Sequence, residues 1–251
     1  MLRLHKKKLF FIFILLSVSG LGNGIFQKAN DAYNQKKYAE AIALYEEMAS
    51  KGYKKAIVYY NLGNAYFKHN QLAKALLWYE RALRLDPSNE DIKHNIAFVN
   101  QQTIDNMEIQ PDLFIKGWFY TVRDLFSVKL WSILSIVLVV ISCLCVVLMI
   151  FLSFSHRRTS LFITAVIAFI FSIFSIVFAN LQKNNILRED EAIVMEKIVT
   201  VKSMPDASGT NLFTIHEGMK VIITDEAGNW IEVRFPDGNK GWLTKDMVDV
   251  I

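Results

Sequence analysis

A period of 34 residues in the first third of the chain constrains its fold more than any other feature. Comparable residues recur at equivalent positions, which are Ala29 and Gly63, Ala41 and Ala75, Tyr45 and Tyr79, and Met48 and Ala82. A period of this length is typical of helix–turn–helix units that stack side by side and share a buried core. The first third of the chain is therefore predicted to be an α-helical array.

The second copy carries the small and aromatic residues that close helix packing requires. Gly63 and Ala75 are small where paired helices would touch, and Pro87 cannot continue a helix. The space beside them would be filled by Tyr59, Tyr66 and Tyr79. This pattern resembles the tetratricopeptide repeat, and the resemblance implies an all-α domain that binds other polypeptides and carries no chemistry of its own.

The copies on either side are less complete. In the first, roughly residues 22–55, Ala29 replaces the glycine and Tyr53 stands where the proline would be. A third copy starts near Glu90 and has only its first helix. Because at least three repeats are usually needed for stability, we expect this half-repeat to cap the array. We assign the tetratricopeptide repeat domain to residues 25–105.

The first 24 residues have the layout of an export signal. Residues 1–8 are basic, 9–18 are apolar, and 19–24 are small and polar. The apolar part is too short to cross a bilayer comfortably, so we predict a signal peptide over 1–24, with an uncleaved anchor as the alternative. Either alternative places the repeats outside the cytoplasm.

Two uncharged runs predict membrane-spanning helices within residues 129–182. Residues 130–154 and 161–181 are runs of 25 and 21 residues without a charge, and about 20 apolar residues cross the hydrocarbon of a bilayer. Cys143 and Cys145 both lie in the first run, where we expect them to act as small apolar residues with no redox or metal role.

The link between the runs sets the expected orientation. Residues 155–160 contain His156, Arg157 and Arg158 and are short enough to be a tight turn. Positive residues in short loops mark the cytoplasmic side. We therefore predict a bacterial inner-membrane protein with a cytoplasmic turn at 155–160, and with the repeats and the C-terminal segment in the periplasm. Residues 106–128, which are rich in aromatic residues, are predicted to form a juxtamembrane helix at the lipid–water boundary.

The C-terminal segment, residues 183–251, is predicted to be a linker followed by a small all-β barrel. Short alternating runs and the turn signals Gly228-Asn229 and Pro236-Asp237-Gly238-Asn239 suggest five strands in about 60 residues. The arrangement of Gly218, Trp230 and Gly241-Trp242 resembles a bacterial SH3-like domain. We expect Trp230 to belong to the barrel core, whereas Trp242 fits either the core or a ligand face.

The order of these modules, from export signal to barrel, resembles the BatE family of aerotolerance-operon proteins. The resemblance covers nearly the whole chain. It implies a membrane-bound component of a periplasmic complex linked to oxygen or stress tolerance. It also implies protein partners of the von Willebrand A type and a MoxR-type ATPase from the same operon. The SH3-like resemblance adds peptidoglycan as a second candidate ligand.

A partner-binding groove is expected where the first helix of each repeat faces inward. By register the lining residues are Phe26, Asn30, Tyr33, Tyr60, Asn61, Asn64, Phe67, His94, Asn95 and Phe98. Asn30 and Asn61 occupy the places of two asparagines that hold a terminal carboxylate in chaperone-binding members of the fold. Asp91 would repel a carboxylate, so we expect an extended or helical peptide segment instead.

Other classes of function find little support in the sequence. The five histidines have no metal-ligand spacing, and no phosphate-binding glycine loop or nucleophile motif is present, so we expect no enzyme activity, cofactor or metal. The net charge of +4 is spread along the chain, which argues against nucleic acid. Three functions remain: an adaptor that docks proteins on its repeats, a tether that binds the cell wall through the barrel, and a sensor that couples the two.

Overall fold

The computed structural model describes residues 24–105, 119, 121–151, 155–188 and 190–251. The predicted signal peptide and most of the predicted juxtamembrane helix lie outside the described residues. The chain forms two compact units. The first unit contains the described parts of 1–83, 89–110 and 189–251, and the second those of 84–88 and 111–188.

Five helices form the repeat domain in the first unit, which confirms the predicted all-α array. They are α1 (24–34), α2 (Tyr38–Ser50), α3 (Ala56–Lys68), α4 (Leu72–Leu85) and α5 (Glu90–Asn100). Helix α4 ends two residues before Pro87, and α5 is the lone helix of the third copy. The amide oxygen of Asn89 accepts from the backbone N–H groups of Asp91 and Ile92 and caps α5.

The turn inside each helix pair has the same backbone geometry in both full repeats. Lys36 and Asn70, 34 residues apart, both have a left-handed conformation, with φ of 62° and 59°. The N–H of Lys36 donates to the carbonyl of Tyr33, and the N–H of Asn70 donates to that of Phe67. The sequence period is therefore a period of the structure as well.

Gly63 and Tyr79 show why the second repeat needs its small residue. A Cβ atom at Gly63 would lie 2.6 Å from ring carbons of Tyr79, so α3 and α4 approach too closely for any side chain there. The tyrosine ring fills the space and is 1% exposed. Tyr59 and Tyr66 are also buried, so the packing roles assigned to the aromatic residues are confirmed.

Two long apolar helices form most of the second unit. Helices α6 (Val128–Phe151) and α7 (Ser155–Ile186) are each long and apolar enough to span a membrane. The prediction of a tight turn at 155–160 is wrong, because these residues already belong to α7. No glycine or proline occurs between 155 and 160, so these residues can form the first turns of the helix.

Small residues lie between α6 and α7, and large apolar residues lie on the outside. Ser142 and Cys145 of α6 and Ala165 and Ser172 of α7 are buried, and the Ser142 hydroxyl donates to the Ala165 carbonyl at 3.0 Å. Only 11% and 22% of the most apolar stretches of the two helices are buried. A core helix of a soluble protein would bury its large side chains instead.

Seven strands form the C-terminal sheet, two more than the sequence suggested. They are β1 (Glu191–Val194), β2 (Ile198–Lys202), β3 (Asn211–His216), β4 (Lys220–Ala227), β5 (Trp230–Arg234), β6 (Lys240–Thr244) and β7 (Val248–Val250). Their order is β3-β2-β6-β5-β4-β1-β7, with antiparallel neighbours. A single 3₁₀ turn (Lys245–Met247) precedes β7. Both predicted turns are present, with Gly228 and Gly238 at φ of 62° and 90°.

The core of the barrel consists mainly of aliphatic side chains together with Phe235, and the tryptophans lie outside it. Ile231 and Val233 of β5 are buried. Trp230, the first residue of the same strand, is only half-buried. Successive side chains of a strand point to opposite faces, so Trp230 lies on the outer face. The expectation that it belongs to the core is therefore wrong. Trp242 of β6 is also half-buried on the outer face, opposite Glu232 of β5.

The barrel packs directly on the repeat domain within the first unit. Ala73 and Leu77 of α4 form one buried cluster with Ile193 of β1 and with Ile251, and Met195 packs against it. Tyr79 and Leu77 are two residues apart, so their side chains point about 200° apart around α4. One side of this helix therefore packs on α3, and the other packs on the barrel.

Charged groups surround this apolar contact. The ammonium of Lys220 on β4 lies 2.8 Å from the Glu80 carboxylate of α4 and 3.2 Å from that of Glu191 on β1. Burial alone would lower the pKa of Lys220, but the two carboxylates outweigh it and the pKa is raised. This lysine therefore keeps its charge at neutral pH and joins the repeats to the barrel.

Two further polar contacts connect the repeat domain to the barrel. The Arg81 guanidinium of α4 donates to the Val250 carbonyl at 2.5 Å. Since β7 is the last strand of the sheet, this bond occupies a carbonyl near an open sheet edge. The Asp105 carboxylate accepts from the N–H of His216 on β3 at 2.5 Å, and its other oxygen lies 3.0 Å from the imidazole Nδ1. The half-repeat is thus not the only cap of the array, because the barrel covers α4.

Gly218 tests the repeat–barrel contact. A Cβ atom there would lie 2.8 Å from Thr103 Cγ2 and 3.2 Å from Leu76 Cδ1, whereas one at Gly228 would meet nothing within 4 Å. Both glycines have positive φ, so alanine strains the backbone at either position. We expect Gly218→Ala to lower the free energy of unfolding by about 1–3 kcal/mol more than Gly228→Ala, because only the first overpacks a contact. Denaturation of both variants in detergent, followed by circular dichroism, measures this; equal losses would contradict the interface.

Candidate functional site in the repeat groove

A polar cavity of about 310 Å³ lies between the first helices of the two full repeats. Its lining residues are Asn30, Tyr33, Asn34, Tyr45, Asn61 and Asn64. All six are amides or phenols, so the cavity wall carries no charge at neutral pH. The helix spacing explains the set, because Asn61 and Asn64 lie three residues apart on one face of α3.

Four asparagines, Asn30, Asn61, Asn64 and Asn95, form two hydrogen-bonded pairs that we together call the amide row. The Asn61 amide nitrogen donates to Asn30 Oδ1 at 3.1 Å, and the Asn95 amide nitrogen donates to Asn64 Oδ1 at 3.0 Å. Residues 30 and 64 are one period apart, as are 61 and 95. The same bond therefore occurs twice, once between α1 and α3 and once between α3 and α5.

Phenol groups from the second helices hold the amide row in place. The Tyr45 hydroxyl donates to Asn30 Oδ1 at 2.5 Å, and the Tyr79 hydroxyl donates to Asn64 Oδ1 at 2.6 Å. Burial raises the pKa of Tyr45 to about 12 and also raises the pKa of Tyr79. Both phenols are consequently protonated at neutral pH and remain donors.

These bonds leave specific atoms of the row for a ligand. Each Oδ1 of Asn30 and Asn64 accepts two bonds and is saturated, and both Nδ2 groups lack a partner among the described residues. Asn61 and Asn95 donate through nitrogen, and their carbonyl oxygens likewise have no partner in the described chain. No buried side-chain atom of the described residues is unsatisfied, so the remaining donors and acceptors face solvent.

An aromatic pair, Phe67 and Phe98, lies one helical turn beyond the row. Phe67 follows Asn64 by three residues, and Phe98 follows Asn95 by three, so each ring continues its own helix face. Their ring centroids are 5.8 Å apart with an edge-on geometry, and Phe98 is 47% exposed. Phe98 occupies the position equivalent to Asn30 and Asn64, so the third copy exchanges an amide for an apolar surface.

The structure brings most of the residues that sequence reasoning selected into this region. Asn30, Tyr33, Asn61 and Asn64 line the cavity. Asn95 donates to the Tyr60 hydroxyl at 3.2 Å, and the Tyr60 ring lies 5.9 Å from that of Tyr79. Phe26 packs edge-on against Tyr45 at 6.2 Å. His94 is exposed, with no bond to the row.

Sequence reasoning missed Asn34 and Tyr45 as lining residues. Tyr45 was recognised by its period with Tyr79, but only as a packing residue. Asn34 follows Asn30 by one helical turn, and that spacing was the available signal. Tyr45 lies on the second helix of its pair and cannot be assigned to the groove without knowing how that helix is oriented.

The barrel offers a smaller polar surface around Trp242. On the neighbouring strand the Glu232 carboxylate accepts from the Thr224 hydroxyl at 2.5 Å and from the Lys240 ammonium at 2.7 Å. The hydrogen bonds from Lys240 and Thr224 lower the pKa of Glu232, which is therefore ionised at neutral pH. Within the described part of the chain no three His, Cys, Asp or Glu side chains gather in a way that could hold a metal.

Comparison with known proteins identifies the two modules. Residues 26–90 match the family described as Tetratricopeptide repeat, and residues 199–249 match the family described as Bacterial SH3 domain. The human Tetratricopeptide repeat protein 6 is 36% identical over 56 residues, which cover 22% of this chain and 11% of that protein. The aligned part is thus about a tenth of the human protein.

A crystal structure of a TPR repeats protein from Bacteroides fragilis is also similar. The alignment has 15% sequence identity and a TM-score of 0.23, and it covers 65% of this chain and 92% of that one. A score this low carries no argument about arrangement or function. The module assignments rest on the two family matches, on the 34-residue period and on the observed helices and strands.

Tyr79→Phe tests whether the phenols hold the amide row. The change removes the bond to Asn64 Oδ1 but keeps the ring against Gly63. We expect a loss of about 1 kcal/mol in the free energy of unfolding, since a net hydrogen bond contributes roughly 0.5–1.5 kcal/mol. Tyr59→Phe is the matched control, because the Tyr59 hydroxyl bonds to no described residue. Chemical denaturation of both variants compares them, and a Tyr79→Phe protein as stable as the control would refute this role.

Proposed function

We propose that this protein is a membrane-anchored adaptor that docks partner proteins in the groove of its repeats. The observation that carries the proposal is the combination of the amide row with the aromatic pair. Hydrogen-bond donors and acceptors without protein partners lie beside an exposed apolar surface, on a domain with no cluster of metal-ligating groups among its described residues. Such a surface suits a polypeptide, which offers both amide groups and apolar side chains.

Membrane insertion of α6 and α7 is supported by their packing, in which small side chains lie between the helices and large apolar side chains lie outside. Small and hydroxyl-bearing residues meet between the helices, as is common where helices pack in lipid. The Ser142 hydroxyl, for example, is buried and donates to the Ala165 carbonyl of the facing helix. The large apolar side chains face outward, where acyl chains would solvate them.

The repeat–barrel contact supports the view that both helices cross the bilayer. If only one of them crossed, the repeats and the barrel would lie on opposite sides and could not pack together. Two crossings return the chain to the side on which it started. We place that side in the periplasm of a bacterial inner membrane, because the chain begins with an export-like segment and His156, Arg157 and Arg158 lie at the opposite end of the hairpin.

More specifically, we propose that the protein is a BatE-like component of an aerotolerance or stress-related complex. Its support is the order of modules: repeats, two membrane helices and an SH3-like barrel. On this proposal the docked proteins are membrane proteins of the von Willebrand A type, acting with a MoxR-type ATPase. The groove would bind a segment of such a partner.

A second candidate is a tether that binds peptidoglycan through the barrel. Trp242 favours it, because its ring is half-buried on the outer face beside the ionised Glu232 carboxylate. An aromatic platform next to a hydrogen-bonding carboxylate suits a sugar. The repeats would then position the barrel and bind nothing themselves.

Site-specific photo-crosslinking in cells separates the two functions. A benzophenone amino acid at position 60 or 67 would lie in the groove, and one at the exposed Asp225 of β4 serves as the control. We expect adducts with a second membrane protein from positions 60 and 67 and none from 225. Absence of protein adducts from both groove positions would contradict the adaptor. Retention of the full chain on purified peptidoglycan that Trp242→Ala abolishes would then favour the tether.

A further inference from the structure

We infer that the turn between β3 and β4 is a clip that holds the half-repeat closed on the repeat array. The clip consists of residues 216–220. It belongs to the barrel by sequence, but three of its five residues contact the repeats. Docking of the barrel and closure of α5 are on this view a single event, so that releasing the clip lets α5 open while the barrel and the first repeat stay folded.

The first half of the clip holds the chain that leaves α5, the helix that ends at Asn100. The Asp105 carboxylate accepts from the His216 N–H at 2.5 Å, and its other oxygen lies 3.0 Å from the His216 Nδ1. Gly218 lies against Thr103, whose Cγ2 would be 2.8 Å from a Cβ atom on the glycine. The end of the half-repeat is therefore fixed to the barrel by both polar and close apolar contact.

The second half of the clip holds α4. The same Cβ atom on Gly218 would lie 3.2 Å from Leu76 Cδ1, so this glycine fits between α4 and the chain after α5. Two residues further on, the Lys220 ammonium lies 2.8 Å from the Glu80 carboxylate of α4. The clip thus extends from the end of the half-repeat to the second helix of the preceding repeat.

The clip is anchored in the barrel. Met219 belongs to the buried core of the barrel, while its neighbours in the chain contact the repeats. The Gly218 N–H donates to the Val194 carbonyl at 2.8 Å, and the Val194 N–H donates to the Met219 carbonyl at 2.9 Å. Because the clip is bonded to β1 in this way, a barrel that leaves α4 also takes the clip away from Asp105.

Helix α5 needs this support because it has no second helix to pack on. In each full repeat the first helix pairs with a second one, whereas every described helix after α5 belongs to the second unit. Helix α5 has 11 residues, and its buried residues are Ile92, Ile96 and Val99. A helix of this length is marginal in water by itself, so contacts at its end contribute a large share of what keeps it in place.

The clip also determines whether the groove is complete, a consequence that rests on the proposed docking function. Helix α5 carries Asn95, which donates to Asn64, and Phe98, which packs on Phe67. An open α5 would remove both residues from the groove and leave the first repeat unchanged. The barrel would then regulate docking on the repeats without binding any ligand itself.

Hydrogen–deuterium exchange of the full chain in detergent micelles, followed by mass spectrometry, tests the clip. Lys220→Met removes the ammonium that pairs with Glu80 and Glu191, neither of which belongs to α5. We expect the amides of α5 to exchange at least about tenfold faster, because local opening sets the exchange rate of a packed helix. The amides of β5 and β6 should stay as protected as in the unchanged protein.

Lys245→Met is the matched control. It removes an ammonium that lies 2.6 Å from the Glu226 carboxylate at the exposed surface of the barrel, and we expect no change in α5. Lys220→Arg keeps the positive charge and should retain most of the protection of α5. Exchange of α5 in Lys220→Met that equals the control would overturn the inference. Equal acceleration in α2, α5, β5 and β6 would also overturn it, because that pattern reports loss of the whole fold.

Asp105→Ala tests the other end of the clip. The change removes the acceptor of the His216 N–H, and we expect α5 to exchange faster here as well. Asp225→Ala, at an exposed position of β4, is its control and should leave α5 unchanged. A clip requires both of its ends, so acceleration of α5 in only one of the variants Lys220→Met and Asp105→Ala would contradict it.

The outcome is separable from the proposed function, because the exchange experiment needs no partner. Partner adducts from the groove in cells together with unchanged exchange of α5 would overturn the clip and leave the adaptor intact. Faster exchange of α5 without any adducts would support the clip and contradict the adaptor.

Discussion

Helix α4 is packed on two opposite sides, and the arrangement of the first unit depends on this double contact. On one side the Tyr79 ring fills the space over Gly63, and its hydroxyl holds Asn64 in the amide row. On the other side Leu77 joins the buried cluster of the barrel. The candidate groove and the barrel are therefore both packed against the same helix. A truncated array of two full repeats and one half-repeat gains from the barrel the cover that a further helix would otherwise provide.

The same contact constrains the rest of the chain. On the proposed membrane insertion, packing between α4 and the barrel requires that the chain before α6 and the chain after α7 lie on the same side of the bilayer. The two apolar helices meet this requirement because they form a pair, with small residues such as Ala165 between them and large ones outside. The repeats and the barrel are joined by charge as well as by apolar contact, because the Lys220 ammonium lies between the carboxylates of Glu80 and Glu191.

Local and periodic features could be predicted from the sequence, and contacts between distant segments could not. The 34-residue period predicts the helices, the packing role of Gly63 and most of the groove residues. It can do so because these features recur at equivalent positions within one module. The charged residues after Ser155 interrupt an apolar run and so predict a turn, although exposed charges do not stop a helix. Strands β1 and β7 are four and three residues long, too short for alternation to be recognised. Leu77 and Ile193 each look like an ordinary core residue of their own module, so nothing in the sequence pairs them.

Zero-length carbodiimide cross-linking in native membranes tests the repeat–barrel contact most directly. The reagent joins a carboxylate to an amine only when the two are in contact. Lys220 lies between Glu191 of the barrel and Glu80 of the repeats, so the first link reports a folded barrel and the second reports its docking. The account predicts that mass spectrometry finds both the Lys220–Glu191 and the Lys220–Glu80 isopeptides. Recovery of the Glu191 link without the Glu80 link would contradict it.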